Sequence, residues 1–325
     1  MEIYELSLDG GVKRIAALPA SVKIVCAFGC FDGVHIGHRA LLSEAVRIAE
    51  EKNSADGEGY VPAVWTFSEP VSKPWLIAIG ERLSLCGRFG IKYALCQRFE
   101  DVRTLAPEDF IGGLVSRYGL VWGVCGENFR FGYKGSGDPR CLGESIRLSL
   151  GGKETDGGAV SVVPTVCELG GVVSSTRIRS LLSEGEVETV EKLLGRHYSL
   201  KGNVQAGKQI GRTISRPTAN LVYSPDQLVP KRGVYFTYCR VGGALYRAVT
   251  NVGYRPTVND DPNSVTCEAH LLDFSGSIYG ECAEIIFVHY QRAELAFATV
   301  DDLAKQISTD VRCATEYFDK RQTER

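Results

Sequence analysis

The stretch AFGCFDGVHIGHRALL, residues Ala27 to Leu42, decides how the chain is read. Its first residues close an apolar run, Lys23–Phe28 (KIVCAF), that reads as a buried strand. Its last residues open His38–Glu51 (HRALLSEAVRIAEE), where apolar residues recur at helical spacing. Gly29 to Gly37 is therefore a strand-to-helix turn. A helix N-terminus exposes unpaired N–H groups and a partial positive charge, so it attracts phosphate. His35 and His38, two of five histidines in the chain, stand at that entrance and can donate to one bound anion, while Gly37 lets the backbone come close. Taken alone, two histidines three apart also suit a surface loop, and a metal site there lacks a nearby third ligand.

Working outward, strand and helix patterns alternate. Val61–Phe67, Tyr93–Gln97 and Leu120–Cys125 read as strands; Glu81–Phe89 and Pro107–Tyr118 read as helices. That alternation predicts a parallel sheet with helices on both faces, and ligands at the carboxyl ends of its strands. Two helices follow, Ser175–Leu182 and Glu186–Leu194, with Gly195 as the stop. The rhythm then changes. Tyr198–Gln205, Gly233–Val241, Leu245–Val252, Val265–Phe274 and Ala283–Tyr290 read as consecutive strands, closed by one helix, Val300–Phe318. Strands in succession predict an antiparallel barrel or sandwich. The expected domains are 1–184 and 185–325, and glycine-rich Gly151–Gly158 reads as a surface loop.

With 325 residues, 44% of them hydrophobic, the chain has apolar material for two cores. A net charge of -2 predicts no strongly basic face and no nucleic-acid partner. The first residues, MEIYELSLDGG, carry acids and lack the apolar core of a signal peptide, and no run is long enough for a membrane span. Eleven scattered cysteines form no CxxC pair. They read as buried, reduced thiols of a cytoplasmic protein, with no zinc site.

The motifs narrow the chemistry. FDGVHIGH after a strand resembles the HxGH signature of the nucleotidyltransferase superfamily, and GCFDGVH resembles the bacterial bifunctional riboflavin kinase/FMN adenylyltransferases. Four further stretches resemble that family in order: GENFRFG (126–132), VSSTRIR (173–179), RPTANL (216–221) and CEAHLLDFSGSIYG (267–280). The resemblance implies a Rossmann-like α/β nucleotidyltransferase domain, then an antiparallel β-barrel riboflavin kinase domain with a C-terminal helix. It implies ATP as co-substrate, Mg²⁺ as cofactor, and riboflavin and FMN as substrates. The oligomeric state stays open.

Adenylyl transfer from ATP to the FMN phosphate needs alignment and charge neutralisation more than a base, because the nucleophile is already an anion. The resemblance assigns catalysis there to His35 and His38. It assigns phosphate contacts to Gly29, Phe31, Asp32, Gly37, Ser174, Ser175, Thr176 and Arg179. The serines and arginine suit a plain helix cap equally well. Gly126, Asn128 and Phe129 are implied in flavin binding, although Phe129 and Phe131 also suit a core. One departure stands out: SEPVSKP (68–74) lacks the histidine expected after the Thr66–Phe67 strand, so a riboflavin kinase with an impaired adenylyl site is the alternative reading.

Phosphorylation of the ribityl hydroxyl does need a base, because an alcohol is a poor nucleophile. Alternation along TCEAHLLDF puts Thr266, Glu268 and His270 on one face and Cys267, Ala269 and Leu271 on the other. Period alone leaves Glu268 facing water; the resemblance makes it the base. Thr218 and Asn220, two apart in an extended PTAN segment, are implied to hold Mg-nucleotide, with Gly207 and Gly211 in a loop over the phosphates. Ser215-Arg216 replaces the usual glycine-aromatic pair before that motif, and Gly253–Thr257 resembles a loop at the active-site mouth. A flavin-binding regulator without catalysis is the reading from another class, and a mere binder has no use for Glu268.

Overall fold

The computed structural model describes residues 1–6, 18, 21–57, 59–69, 74–152, 159–205, 218–254 and 265–323. They form two compact units, Met1–Ser175 and Thr176–Arg325. The division falls between Ser175 and Thr176, at the start of a helix.

The first unit is built on a six-stranded parallel sheet. Its strands are β1 (Glu2–Leu6), β2 (Lys23–Phe28), β3 (Tyr60–Phe67), β4 (Tyr93–Gln97), β5 (Leu120–Gly126) and β6 (Val160–Val163), in the order β1-β4-β3-β2-β5-β6. Along β2 the side chains alternate between two cores. Ile24, Cys26 and Phe28 face α4 (Pro107–Tyr118) and α5 (Pro139–Ser149), whose Ile111, Leu114, Leu142 and Ile146 are buried there. Val25 and Ala27 face α1 (Ile36–Asp56), which buries Leu42, Ala45, Ile48 and Ala49, and α2 (Ile79–Arg88). Trp122 of β5 joins this second core. Burial on both faces explains why these strands read as unbroken apolar runs. A short α3 (Phe99–Val102) and a two-stranded ribbon, β7 (Cys167–Glu168) with β8 (Gly171–Val172), complete the unit. Strands β1, β6, β7 and β8 were absent from the sequence reading.

The sheet order reverses at β2: the chain continues through β3 and β4 on one side and through β5 and β6 on the other. At such a switch point the carboxyl ends of β2 and β5 open a crevice.

α6 spans Ser175–Glu184 and α7 spans Val187–Leu194. In the second unit α7 packs on a closed antiparallel barrel. Its strands are β9 (Tyr198–Gln205), β10 (Thr218–Tyr223), β11 (Gly233–Val241), β12 (Ala244–Tyr254), β13 (Val265–Leu271) and β14 (Cys282–Arg292), ordered β10-β13-β12-β11-β14-β9. The sixth strand, β10, carries Thr218, Ala219 and Asn220 of the PTAN motif. Tyr235, Thr237 and Cys239 face the interior with no exposure, and the Thr237 and Thr250 hydroxyls bond each other at 2.7 Å. The outward Phe236 and Val288 are covered by Ala314 and Phe318 of α8 (Val300–Thr323).

All eleven cysteines are free thiols. Six are buried, but Cys30, Cys167 and Cys282 are exposed, which corrects the expectation of uniform burial. Removal from water disfavours the thiolate. Burial pushes Cys86 and Cys125 up from 9.0 to about 12 and Cys239 to about 11; Cys26 and Cys267 shift in the same direction. Above pH 9 the unfolded chain therefore sheds thiol protons that the folded chain keeps. The resulting stability is full below pH 9 and is lost as pH rises toward 12. Urea unfolding at pH 8 and pH 11 should show a loss of more than about 2 kcal/mol at the higher pH, since each raised unit is worth about 1.4 kcal/mol.

Candidate functional site

The turn after β2 is held in an uncommon shape. Phe31, Gly33 and Val34 have φ of 50°, 84° and 40°. Phe31 is wholly buried and Asp32 is 4% exposed. Both lie beneath the turn: the Phe31 ring meets His38 at 5.1 Å, and Asp32 Oδ1 accepts from the Leu76 N–H at 2.9 Å. The Asp32 carbonyl accepts from Ser175 Oγ at 2.8 Å, which ties the end of the first unit to this loop.

His35 is the N-cap of α1. Its Nδ1 accepts from the His38 N–H at 3.2 Å. A nitrogen that accepts carries no proton, so the neutral ring carries its proton on Nε2. The two imidazoles stack with centroids 3.6 Å apart. Gly37 makes that stack possible, since a Cβ there would lie 3.2 Å from the His35 ring. Ser174 and Ser175 belong to the first unit; Thr176 and Arg179 continue α6 in the second.

Beside the turn lies a cavity of about 510 Å³. It is lined from the carboxyl ends of four strands: Gly29 and Cys30 after β2, Phe67 at the end of β3, Phe99 after β4, and Asn128 to Gly132 after β5. Phe129 and Phe131 stack at 5.4 Å and 14°. Trp65 forms part of the wall, its Nε1 satisfied by Gln97 Oε1 at 2.6 Å. Arg103, Arg130 and Lys134 bring positive charge to the lining. An aromatic slot with cations around it suits a planar ring system that carries a phosphate. Asn128 and Phe129 line it; Gly126 ends β5 and is absent from the lining.

On the barrel, Cys267, Ala269 and Leu271 face inward and Glu268 is half-buried on the outer side. Register places Asn220 of β10 opposite Glu268, and Glu268 opposite Asn251 of β12. The three polar residues thus form a row across adjacent strands. Thr218 pairs with His270 one step along the same strands. Gly253 is a close-approach position: a Cβ there would lie 2.2 Å from Glu294 Oε1 and 2.7 Å from Asn251 Nδ2. Gly207, Gly211, Ser215-Arg216, residues 70–73 of SEPVSKP, and 255–257 lie outside the described residues.

Comparison with known proteins agrees with this division. Residues 19–177 match the FAD synthetase family model and residues 194–318 match the riboflavin kinase model. Three relatives, each named bifunctional riboflavin kinase/FMN adenylyltransferase, align over nearly the full length. The Listeria monocytogenes protein is 33% identical over 92% of this chain and 94% of its own. The Bacillus subtilis protein is 32% identical over 91% and 93%, and the Escherichia coli protein is 31% identical over 96% and 98%. The chain belongs to the bifunctional riboflavin kinase/FMN adenylyltransferase family. A Streptococcus pneumoniae crystal structure named as a macrolide-efflux protein superposes with a TM-score of 0.80 at 26% identity, covering 97% of this chain and 99% of that one. Among the described residues here, no helix is long and apolar enough to cross a membrane.

Sequence reasoning overlooked Trp65, Phe67, Phe99, Arg103 and Lys134, and also Asn251, opposite Glu268, and Glu294, beside Gly253. The available signal for the first group was position, since each follows or ends a parallel strand. The His35 geometry has a direct check. Two-bond proton–nitrogen correlation of histidine-labelled protein at neutral pH should show an unprotonated Nδ1 for His35, assigned with H35N. A protonated Nδ1 would contradict the cap.

Proposed function

We propose that this chain makes FAD from riboflavin in two ATP-dependent steps: phosphorylation to FMN in the barrel unit, and adenylylation of FMN, with release of pyrophosphate, in the N-terminal unit. The observation that carries it is the pairing on one chain of two different constellations. One is a histidine-capped helix mouth beside an aromatic cavity; the other is a carboxylate set between two asparagines on a barrel wall. They match the two chemistries, of which one needs a base and one does not.

In the barrel, Glu268 takes the proton of the ribityl 5′-hydroxyl as the hydroxyl oxygen attacks the γ-phosphorus of ATP; the bond to the β,γ-bridging oxygen breaks and ADP leaves. Asn220 and Thr218 supply neutral oxygen ligands on the strand beside it. They fit Mg²⁺, which prefers oxygen and keeps phosphate and water ligands, so no cage of carboxylates is required. Bound there, the ion would neutralise phosphate charge. Asn251, cross-strand from Glu268, helps to orient it.

In the N-terminal unit, FMN lies in the cavity with its ring against Phe129 and near Asn128. Its phosphate oxygen attacks the α-phosphorus of ATP, and pyrophosphate leaves without a general acid. His35 through Nε2–H, His38, the Gly29 backbone and the first turn of α6 donate to the phosphates. The resemblance adds Ser174, Ser175, Thr176 and Arg179 as phosphate contacts, with Arg179 as the gripping cation. Phe31 and Asp32 act through the shape of the loop. The free thiols suit a reducing compartment and support a cytoplasmic location as part of this reading.

Incubation of purified protein with ATP, Mg²⁺ and riboflavin, and separately with FMN, followed by chromatography of the flavins, tests both steps. E268Q should lower FMN formation by about a hundredfold or more while FMN-to-FAD conversion persists. H38A should lower FAD formation by about a hundredfold while riboflavin phosphorylation persists. Equal loss of both reactions in either variant would overturn the two-site assignment.

A further inference from the structure

The strained turn after β2 needs anchors, because a non-glycine residue in the left-handed region costs of order 1–3 kcal/mol. Two such residues, Phe31 and Val34, sit within four positions. Besides the ties through Asp32, Thr66 Oγ1 donates to the Cys30 carbonyl at 3.0 Å. The remaining anchor is Arg82 of α2. It is wholly buried, its Nη1 donates to the Cys30 carbonyl at 2.6 Å and its Nη2 to the Phe67 carbonyl at 2.7 Å. The guanidinium lies over the Trp75 ring, 3.7 Å from its centroid.

This is a costly way to fill a core. The Arg82 Nε has no acceptor, and among the described residues no carboxylate lies within ion-pair distance of the guanidinium. Burial draws its pKa down to about 10, and Asp32 is the main charge that resists the shift. A buried cation without a partner is penalised by several kcal/mol, and an apolar side chain would fill the same volume without that penalty. What an apolar residue cannot do is grip two carbonyls at once. Those two carbonyls belong to Cys30 and Phe67, which line the cavity from different strands.

We propose that Arg82 is a positioning residue for adenylyl transfer: its guanidinium clamps the ends of β2 and β3 together, so that the Gly29–His35 turn and the cavity wall keep one fixed geometry. It touches neither substrate. Its effect reaches the reaction through the backbone of Cys30 and Phe67, with its charge behind the turn that receives the triphosphate.

Full-length R82A and R82K, compared with the wild-type chain in both reactions, test this. R82A should lose about a hundredfold in kcat for FMN adenylylation, the scale of a misplacement of about 1 Å. KM for FMN should move by less than about threefold, because the aromatic walls persist. Dilute guanidinium, which fits the hole left by alanine, should restore about tenfold of the lost rate, while urea at equal concentration should not. R82K, with one bond where arginine makes two, should lose about tenfold, and riboflavin phosphorylation should stay within about twofold throughout. Adenylylation by R82A within about threefold of wild type, or a folded R82A that guanidinium does not rescue, would overturn the proposal. If R82A does not fold, R82K decides: a tenfold loss at an unchanged unfolding midpoint supports the clamp, and a wild-type rate refutes it.

Discussion

Parallel strands all end on the same edge of a sheet, and there the backbone must turn at once into a helix. At the switch between β2 and β5 that turn is Gly29 to His35, and the N-terminal site depends on its shape. The residues bent into the left-handed region, Phe31 and Val34, are buried, so packing beneath the turn holds what its local preferences oppose. The same bend delivers His35 to the N-cap of α1, where its Nδ1 closes the first turn. One constraint thus orders the histidines, the helix mouth and one wall of the cavity.

The barrel solves a different problem with a different device. Closure pairs every strand on both sides and turns alternate residues inward. Small and apolar residues such as Ala219, Ala269 and Cys267 fill the interior, which sends Asn220, Glu268 and Asn251 to the outer side in one row. Register, rather than proximity in sequence, brings these three together. A slip of one residue on any strand would turn its member of the row into the core.

Much of this was legible in the chain itself. The strands of the first unit are apolar runs between glycine-bearing turns, and Tyr93–Gln97 and Pro107–Tyr118 match the structure residue for residue. Glu268 was placed on the correct face by alternation alone. Other features needed three dimensions. The edge strand β1 is short and acidic, and only its pairing with β4 reveals it. That a side chain at Gly37 would meet the His35 ring could not be read from the chain, because the cap sets that contact. The partner of the Asp32 carboxylate, the Leu76 amide, lies forty-four positions away in sequence and is found only in the fold. Arg82 carries no signature at all, since nothing in ERLSLCGR announces a buried cation.

The three tryptophans of the chain, Trp65, Trp75 and Trp122, all lie in the first unit, and each marks a different part of it. Trp65 stands in the cavity wall, Trp75 under the Arg82 guanidinium, and Trp122 in the core below α1. Intrinsic tryptophan emission is therefore a built-in optical reporter of the adenylyl-transfer half alone. A flavin ring seated in the cavity would lie against Trp65 and quench it by contact. Binding at one site can be followed by light without labelling or dividing the chain.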